Sequence, residues 1–360
     1  MVLHIIGGFL GSGKTTAIVA AAKQLVSLNK KVGIITNDQG KYLVDTAFYR
    51  YENLPTVEVT GGCFCTNFDD FEAKFNEIRE QVDPDVVFAE AIGTSPDIVA
   101  SVVKPLHELN IAGVSIKSLT VFNDVRLLRH RIQGKLMPFS EHVLYIIDKQ
   151  IDNADVLIIN KIDLVSREES SEIEKIVQKE YPGKKIRMQN SRDENNIKGW
   201  IDLLDSLQTY TLGISPEIDY MKFGKGETSL SWMNEKIVLD VSGRNGRDVV
   251  IGVLGSIIEA VLENGCGIGH LKFLIGDKFH EIKTGITFLE NERWKNDIPD
   301  LFGDWITILI NARIEAEPER LQKIIQKSIK ESADKMKIAF VESDCDVFRP
   351  RMPEPSRRIS

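Results

Sequence analysis

At 360 residues the chain is long enough for two domains, each with its own core. A hydrophobic share of 42% and a charged share of 27% fit a globular protein, and 45 basic against 53 acidic residues leave a net charge of −8, which argues against broad nucleic-acid binding. No apolar run approaches the roughly 18 to 20 residues of a spanning helix, and "MVLHIIGGFL" runs straight into a buried strand with no leader, so an unanchored, cytoplasmic protein with no membrane partner is expected. Cys63, Cys65, Cys266 and Cys345 are too few and too scattered for a disulfide framework, and reduced thiols are expected.

Taken in chain order, short apolar strands alternate with amphipathic helices over the first two thirds, the pattern of an α/β fold with a mostly parallel sheet covered on both faces. "LHIIGG", "VGIITN", "TVEV", "DVVFAE", "SLTVFN" and "DVLIIN" read as strands. "TTAIVAAAKQLVSLN" and "FDDFEAKFNEIREQV" read as helices, the second with Phe71, Phe75, Ile78 and Val82 on one face. "SPDIVASVVKPLHEL" reads as a third, with Ser95 as its cap and Pro96 in its first turn. Residues 211–235, rich in Gly, Pro and Ser, read as a linker between a nucleotide-binding domain over 1–210 and a smaller α+β domain over 236–343. The latter spells strand "KIVLDVS", helix "GRDVVIGVLGSIIEAVLEN", strands "GHLKFLIG", "EIKTGITF" and "WITILINA", helix "EPERLQKIIQKSIKESADKM" and strand "KIAFVE", close to a βαββαβ unit with one more strand. A basic Pro/Arg tail, 344–360, follows.

"GGFLGSGKTT" supplies the most specific motif: Gly8, four residues, Gly13, Lys14 and Thr15 match G-x-x-x-x-G-K-[ST] between a strand and a helix. Gly8, Gly11, Ser12 and Gly13 let backbone N–H groups turn around a β-phosphate, Lys14 reaches the β/γ oxygens, the Thr15 hydroxyl can ligate Mg²⁺, and Thr16 continues the turn. The helix start aims its dipole at the anion. Asn160, Lys161 and Asp163 form N-K-x-D after an apolar strand, where a carboxylate can accept from guanine N1 and N2; adenine would leave it unpaired. Ser191 in "QNSRD" is expected on the O6 edge of that base. GTP is therefore the expected nucleotide.

Glu90 ends the strand "DVVFAE", where a carboxylate can orient Mg²⁺ or water, and Gly93 can offer an amide to the γ-phosphate. "TNDQGKYLVD" offers Asp38 and Asp45 as a switch acid, Asp38 being nearer the strand end. In "TGGCFCTNF", Cys63 and Cys65 would share a face of an extended segment and so could present two sulfurs to Zn²⁺ or another transition metal, with Asp38, a second subunit or a client completing the ligand set. Packing of two small thiols and redox chemistry are the alternatives. Cys266 beside His270 reads as structural, and Cys345 as inert because its acidic neighbours raise its pKa.

Taken together, "GGFLGSGKTT", "GGCFC", "AEAIGTSPD" and "QIDNADVLIINKIDLV" resemble the metal-handling P-loop GTPases of the CobW family and their relatives UreG and HypB, over about residues 2 to 210. The resemblance implies a slow GTPase that delivers a metal or assembles a metallocofactor for a client metalloenzyme, often as a homodimer through the nucleotide face. The chain departs from the family pattern in two places: Thr66 stands where Cys-x-Cys-Cys has its last cysteine, and Lys41 makes the first switch basic. An alternative function is a GTP-driven activator of a metalloenzyme, such as a corrinoid-dependent one, that carries no metal itself. A small-molecule kinase would leave N-K-x-D unexplained.

Overall fold

The computed structural model describes residues 1–40, 43–111, 113–209, 215–287 and 293–359. Lys41, the first four residues of the expected linker, Phe288 and Ser360 lie outside them. Two compact units emerge: residues 1–39, 52–226 and 353–360 form the first, and residues 40–51 and 227–352 the second.

Seven parallel strands make the first unit: β1 (Val2–Gly8), β2 (Val32–Asp38), β3 (Thr56–Thr60), β4 (Val86–Glu90), β5 (Ser115–Asp124), β6 (Val156–Asn160) and β7 (Lys185–Gln189), in the order β3-β2-β4-β1-β5-β6-β7. Leu3, Ile5 and Ile6 of β1 and all five residues of β6 are buried, as strands covered on both faces require. Between them, α1 (Lys14–Ser27) packs Ala17, Ile18, Ala21 and Ala22 inward, and helix Phe68–Val82 buries Phe71, Phe75 and Ile78 while leaving Val82 at the margin. Gly8, Asp38, Glu90, Asp124 and Asn160 all stand at carboxyl ends of strands, where open α/β sheets bind ligands. Strand β7 and helices Val125–Ile132 and Glu141–Asn153 extend the expected inventory.

Ser95 does not cap a helix at Pro96. The helical path starts at Ile98, the Ser101 amide donates to the Asp97 carbonyl (3.1 Å), and Val99–Val103 forms a turn of π-helix before helix Lys104–Glu108. Pro105 lacks an N–H, so the local ladder cannot close in α register.

In the second unit, β8 (Leu230–Asp240), β9 (Gly267–Gly276), β10 (Glu281–Ile286), β11 (Trp305–Glu315) and β12 (Phe340–Phe348) pair antiparallel in the order β10-β9-β11-β8-β12. Helices Gly246–Glu263 and Pro318–Met336 contribute Val250, Leu254, Ile257, Leu321, Ile325 and Ile329 to one core with Ile237, Phe273, Ile308 and Ile310. Where a linker is expected, residues 220–229 are helical and β8 begins at Leu230; the tail's first residues belong to β12, and 353–360 belong to the first unit. Helix Val44–Tyr51 belongs to the second unit: the Asp45 carboxylate is clamped by Lys272 and Lys283, and the Val44 amide donates to Asn311 Oδ1 (2.9 Å). Burial works to raise the Asp45 carboxyl, but the two ammonium groups prevail and hold it well below its ordinary range.

Glu235 of β8 is buried; its Oε1 accepts weakly from Gln326 (3.4 Å) and its Oε2 has no partner. Burial first, then the charge of Glu342, pushes its carboxyl up to about 7. The folded chain therefore binds this proton more tightly than the unfolded chain, and the stability it contributes is present below the ordinary carboxylate pKa and lost as pH rises through about 7. Glu235→Gln is expected to stabilise the chain at pH ~8 by up to about 3 kcal/mol and to change nothing below pH ~4.5. Denaturant midpoints at both pH values test this; parallel pH profiles for variant and parent would rule it out.

Candidate nucleotide site and cysteine loop

The turn from β1 into α1 is shaped by residues with no Cβ to accommodate. Gly8 has φ 124° and Gly13 φ 93°; a Cβ at Gly8 would strike the Phe122 carbonyl, and one at Gly13 the Asn160 side chain. Lys14 Nζ donates to the carbonyls of Gly8 (2.7 Å) and Phe9 (3.3 Å), so its charge lies over the loop mouth. Gly11 turns with φ 70°, and Thr16 is half-buried in the first helical turn. The Ser12 hydroxyl is buried with no partner, and the first turn of α1 carries no acidic residue. A phosphate group fits these features, bringing acceptor oxygens to an unpaired hydroxyl and to the N-terminus of α1.

Thr15 Oγ1 donates to Glu90 Oε1 at 3.0 Å, both side chains being buried. Two hard oxygen donors from α1 and β4 thus converge beside the loop, the donor set Mg²⁺ prefers. The Gly93 carbonyl accepts from Gln150 Nε2 (2.9 Å), which pins the segment after β4. Asp38 at the end of β2 accepts from the Gln39 amide (2.7 Å). Asp45 is fastened by Lys272 and Lys283.

On the other side of the loop, Asn160 Nδ2 donates to the Ser12 carbonyl (2.8 Å), while its Oδ1 accepts from the Ser191 amide (3.0 Å) and hydroxyl (2.8 Å). Asn160 thus ties the phosphate loop to the "QNSRD" turn. Lys161 takes a left-handed conformation, φ 64°, and its Nζ donates to Asp124 Oδ2 (2.9 Å). Asp163 follows on a short exposed turn, Ile162–Leu164. Sequence reasoning missed Asp124, which Arg126 grips through both oxygens. Its position at the end of β5, immediately before a helix, was the available signal.

Cys63 and Cys65 are buried in a turn, not an extended segment: the Thr66 and Asn67 amides both donate to the Cys63 carbonyl (3.1 and 3.0 Å), and the two Cα atoms stand 5.1 Å apart. The two sulfurs are joined in a disulfide, against the expectation of reduced thiols; Cys266 and Cys345 are free. Tight turning between glycine-led residues, rather than strand pleating, brings the sulfurs together. The Thr66 amide donates to Cys63 Sγ (3.2 Å) and its hydroxyl lies 3.6 Å from the same sulfur. Among the described residues no group of three or more His, Cys, Asp or Glu side chains is arranged to hold a metal ion. Cys345 is pushed up to about 12, by burial first and then by Glu235 and Glu342, and Cys266 is raised by burial.

The model of a family described as "CobW/HypB/UreG, nucleotide-binding domain" matches residues 2–187. The chain belongs to this family. It is 25% identical over 175 residues to the zinc chaperone YeiR of Escherichia coli (strain K12), covering 48% of this chain and 50% of that protein, so it spans about half that relative's length. Among solved structures it is similar to HypB from Helicobacter pylori in complex with nickel, at 17% identity and TM-score 0.42, over 58% of this chain and 90% of that one. Zn(II)-bound YjiA GTPase from E. coli is similar at 13% identity and TM-score 0.35, over 91% of this chain and 98% of that one.

Within this CobW/HypB/UreG-family domain the residue that joins the two halves of the site is Asn37. Its Nδ2 donates to the carbonyls of Val59 (3.2 Å) and Gly62 (2.6 Å), and its Oδ1 accepts from the Phe64 amide (2.9 Å). One side chain therefore fastens the cysteine turn to the strand end that carries Asp38. The sequence displays Asn37 beside Asp38 but not this bridge, which depends on the Asn37–Val59 register of β2 and β3. No helix among the described residues is long and apolar enough to cross a membrane.

Proposed function

We propose that this chain binds GTP with Mg²⁺, hydrolyses it slowly, and uses the cycle to take up or release a transition-metal ion, zinc foremost, at Cys63 and Cys65 for a client metalloenzyme. The observation that carries the reading is the Asn37 bridge, because a displacement of the Asp38 strand end on loss of the γ-phosphate is passed directly to the thiol turn. Family membership and the zinc chaperone among its relatives support the metal cargo.

In the reaction, water attacks the γ-phosphorus in line and the bond to the β,γ-bridging oxygen breaks. Lys14 stabilises the charge that grows on the β- and γ-oxygens, Asp38 orients the water, and the Gly93 amide adds a donor to the γ-phosphate. Thr15 and Glu90 would hold Mg²⁺, which would supply charge neutralisation to the phosphates when bound. Asp163 accepts from guanine N1 and N2, and the Ser191 turn lines the O6 edge. The metal is cargo: two thiolates, once reduced, give a soft, incomplete set that a carrier can surrender.

Competition against a chromophoric chelator under reducing conditions tests this with Zn²⁺, Co²⁺ and Ni²⁺, with and without a non-hydrolysable GTP analogue. Nucleotide-dependent binding, weakened about tenfold or more in Cys63→Ser/Cys65→Ser, is expected. Binding no tighter than micromolar in every nucleotide state would overturn metal carriage and leave GTP-driven activation of a metalloenzyme.

A further inference from the structure

Residues 356–359 lie along the first unit without regular secondary structure, and each makes a polar contact with it. The Ser356 amide donates to the Cys65 carbonyl (2.9 Å), and its hydroxyl accepts from the Phe68 amide (3.2 Å) at the start of helix Phe68–Val82, where Asn67 provides no side-chain cap. Arg357 pairs with Asp69 (2.8 Å) and lies over the Phe68 ring. The Ile359 amide donates to the Ala100 carbonyl (2.9 Å). That carbonyl is orphaned by the π-helical turn, because the Lys104 amide is spent on Val99 and the next residue is Pro105.

Asp97 completes the groove. Its side chain is fully buried; Oδ2 accepts from Arg358 Nε (3.0 Å) and from the Tyr220 hydroxyl, while Oδ1 has no partner. A guanidinium can meet a carboxylate with two parallel N–H bonds, and Arg358 uses one. The occupant seen here leaves the best contact of the groove unmade, so a better-fitting arginine can displace it.

We propose that the groove formed by Cys65–Asp69 and Asp97–Ala100 is a recognition site for an extended Ser-Arg-Arg-aliphatic peptide, filled in cis by Ser356–Ile359 and opened to a client segment of the same chemistry. The site itself does not depend on the nucleotide or metal readings. The preceding Pro353 and Pro355 keep the segment extended, lowering the ordering cost of the bound strand.

The test uses the full chain and a fluorescent peptide of sequence PEPSRRI. Arg358→Ala, which weakens the cis occupant, is expected to bind the peptide about tenfold or more tightly than the parent chain does. Adding Asp97→Asn, or replacing both peptide arginines by alanine, is expected to remove that gain. Hydrogen exchange gives a second readout: Phe68 amide protection falls in Arg358→Ala and returns with peptide. Equal peptide binding by parent and Arg358→Ala, binding indifferent to the peptide arginines, or unchanged Phe68 protection would each overturn the proposal.

Discussion

Lys14→Ala is expected to lower GTP turnover by about 10²- to 10³-fold, the loss found when one preorganised donor to developing transition-state charge is removed. The ammonium lies over the loop mouth, donating to the Gly8 and Phe9 carbonyls at 2.7 and 3.3 Å, and is 7% exposed. A phosphate takes those donors over without further reorganisation, and no second cation among the residues of the loop and α1's first turn can substitute. The loss should appear in kcat as well as in kcat/KM, because charge on the bridging oxygen grows only as the bond breaks. Thermal unfolding without nucleotide should also shift down, by about 1 kcal/mol, since the Gly8 and Phe9 carbonyls that lose their donor are buried. Single-turnover phosphate release measures the effect. Turnover within threefold of the parent would remove Lys14 from the reaction.

What the sequence discloses of this protein follows from how local each determinant is. Strands β1, β2, β4 and β6 are largely continuous apolar runs, punctuated by Gly, Asn or Asp, and are readable without tertiary knowledge. Strand β7, "KIRMQ", is an edge strand whose Lys185 is exposed and whose middle is half-buried, so it lacks the apolar run. The phosphate loop is legible because its glycines, lysine and threonine are contiguous. Other features depend on partners far away in sequence. Helix Val44–Tyr51 joins the second unit through Lys272, Lys283 and Asn311, and residues 353–359 return to the first unit through Asp69, Asp97 and Ala100. A contiguous reading of domains groups both segments with their sequence neighbours for that reason. The cysteine pair is intermediate: two nearby sulfurs are evident from spacing, but the turn that joins them and the Asn37 bridge that holds it arise only from the pairing of β2 with β3.

Asp163→Asn should convert the base preference. A carboxylate accepts two hydrogen bonds, from guanine N1–H and from the exocyclic N2 amine; a carboxamide offers one acceptor and one donor, so its NH₂ meets the guanine NH₂ and both donors go unpaired. Sites built around such a bond reject a mismatched ligand by about 10⁴-fold when fully desolvated. Asp163 is exposed here, so a loss of about 10²- to 10³-fold in GTP affinity is the expected range after allowance for solvent. Xanthine carries a carbonyl where guanine carries that amine, so XTP should bind the variant better than GTP does, reversing the order in the parent chain. The loop is also fastened by Asn160 to Ser12 and Ser191, and Lys161 to Asp124, and the substitution removes none of these bonds. Competition of GTP, XTP and ATP for a fluorescent nucleotide supplies the measurement. Retention of the GTP preference in Asp163→Asn would place the base elsewhere and make N-K-x-D a structural turn, whereas a uniform loss for all three nucleotides would mean that the substitution had disturbed the phosphate loop rather than base recognition.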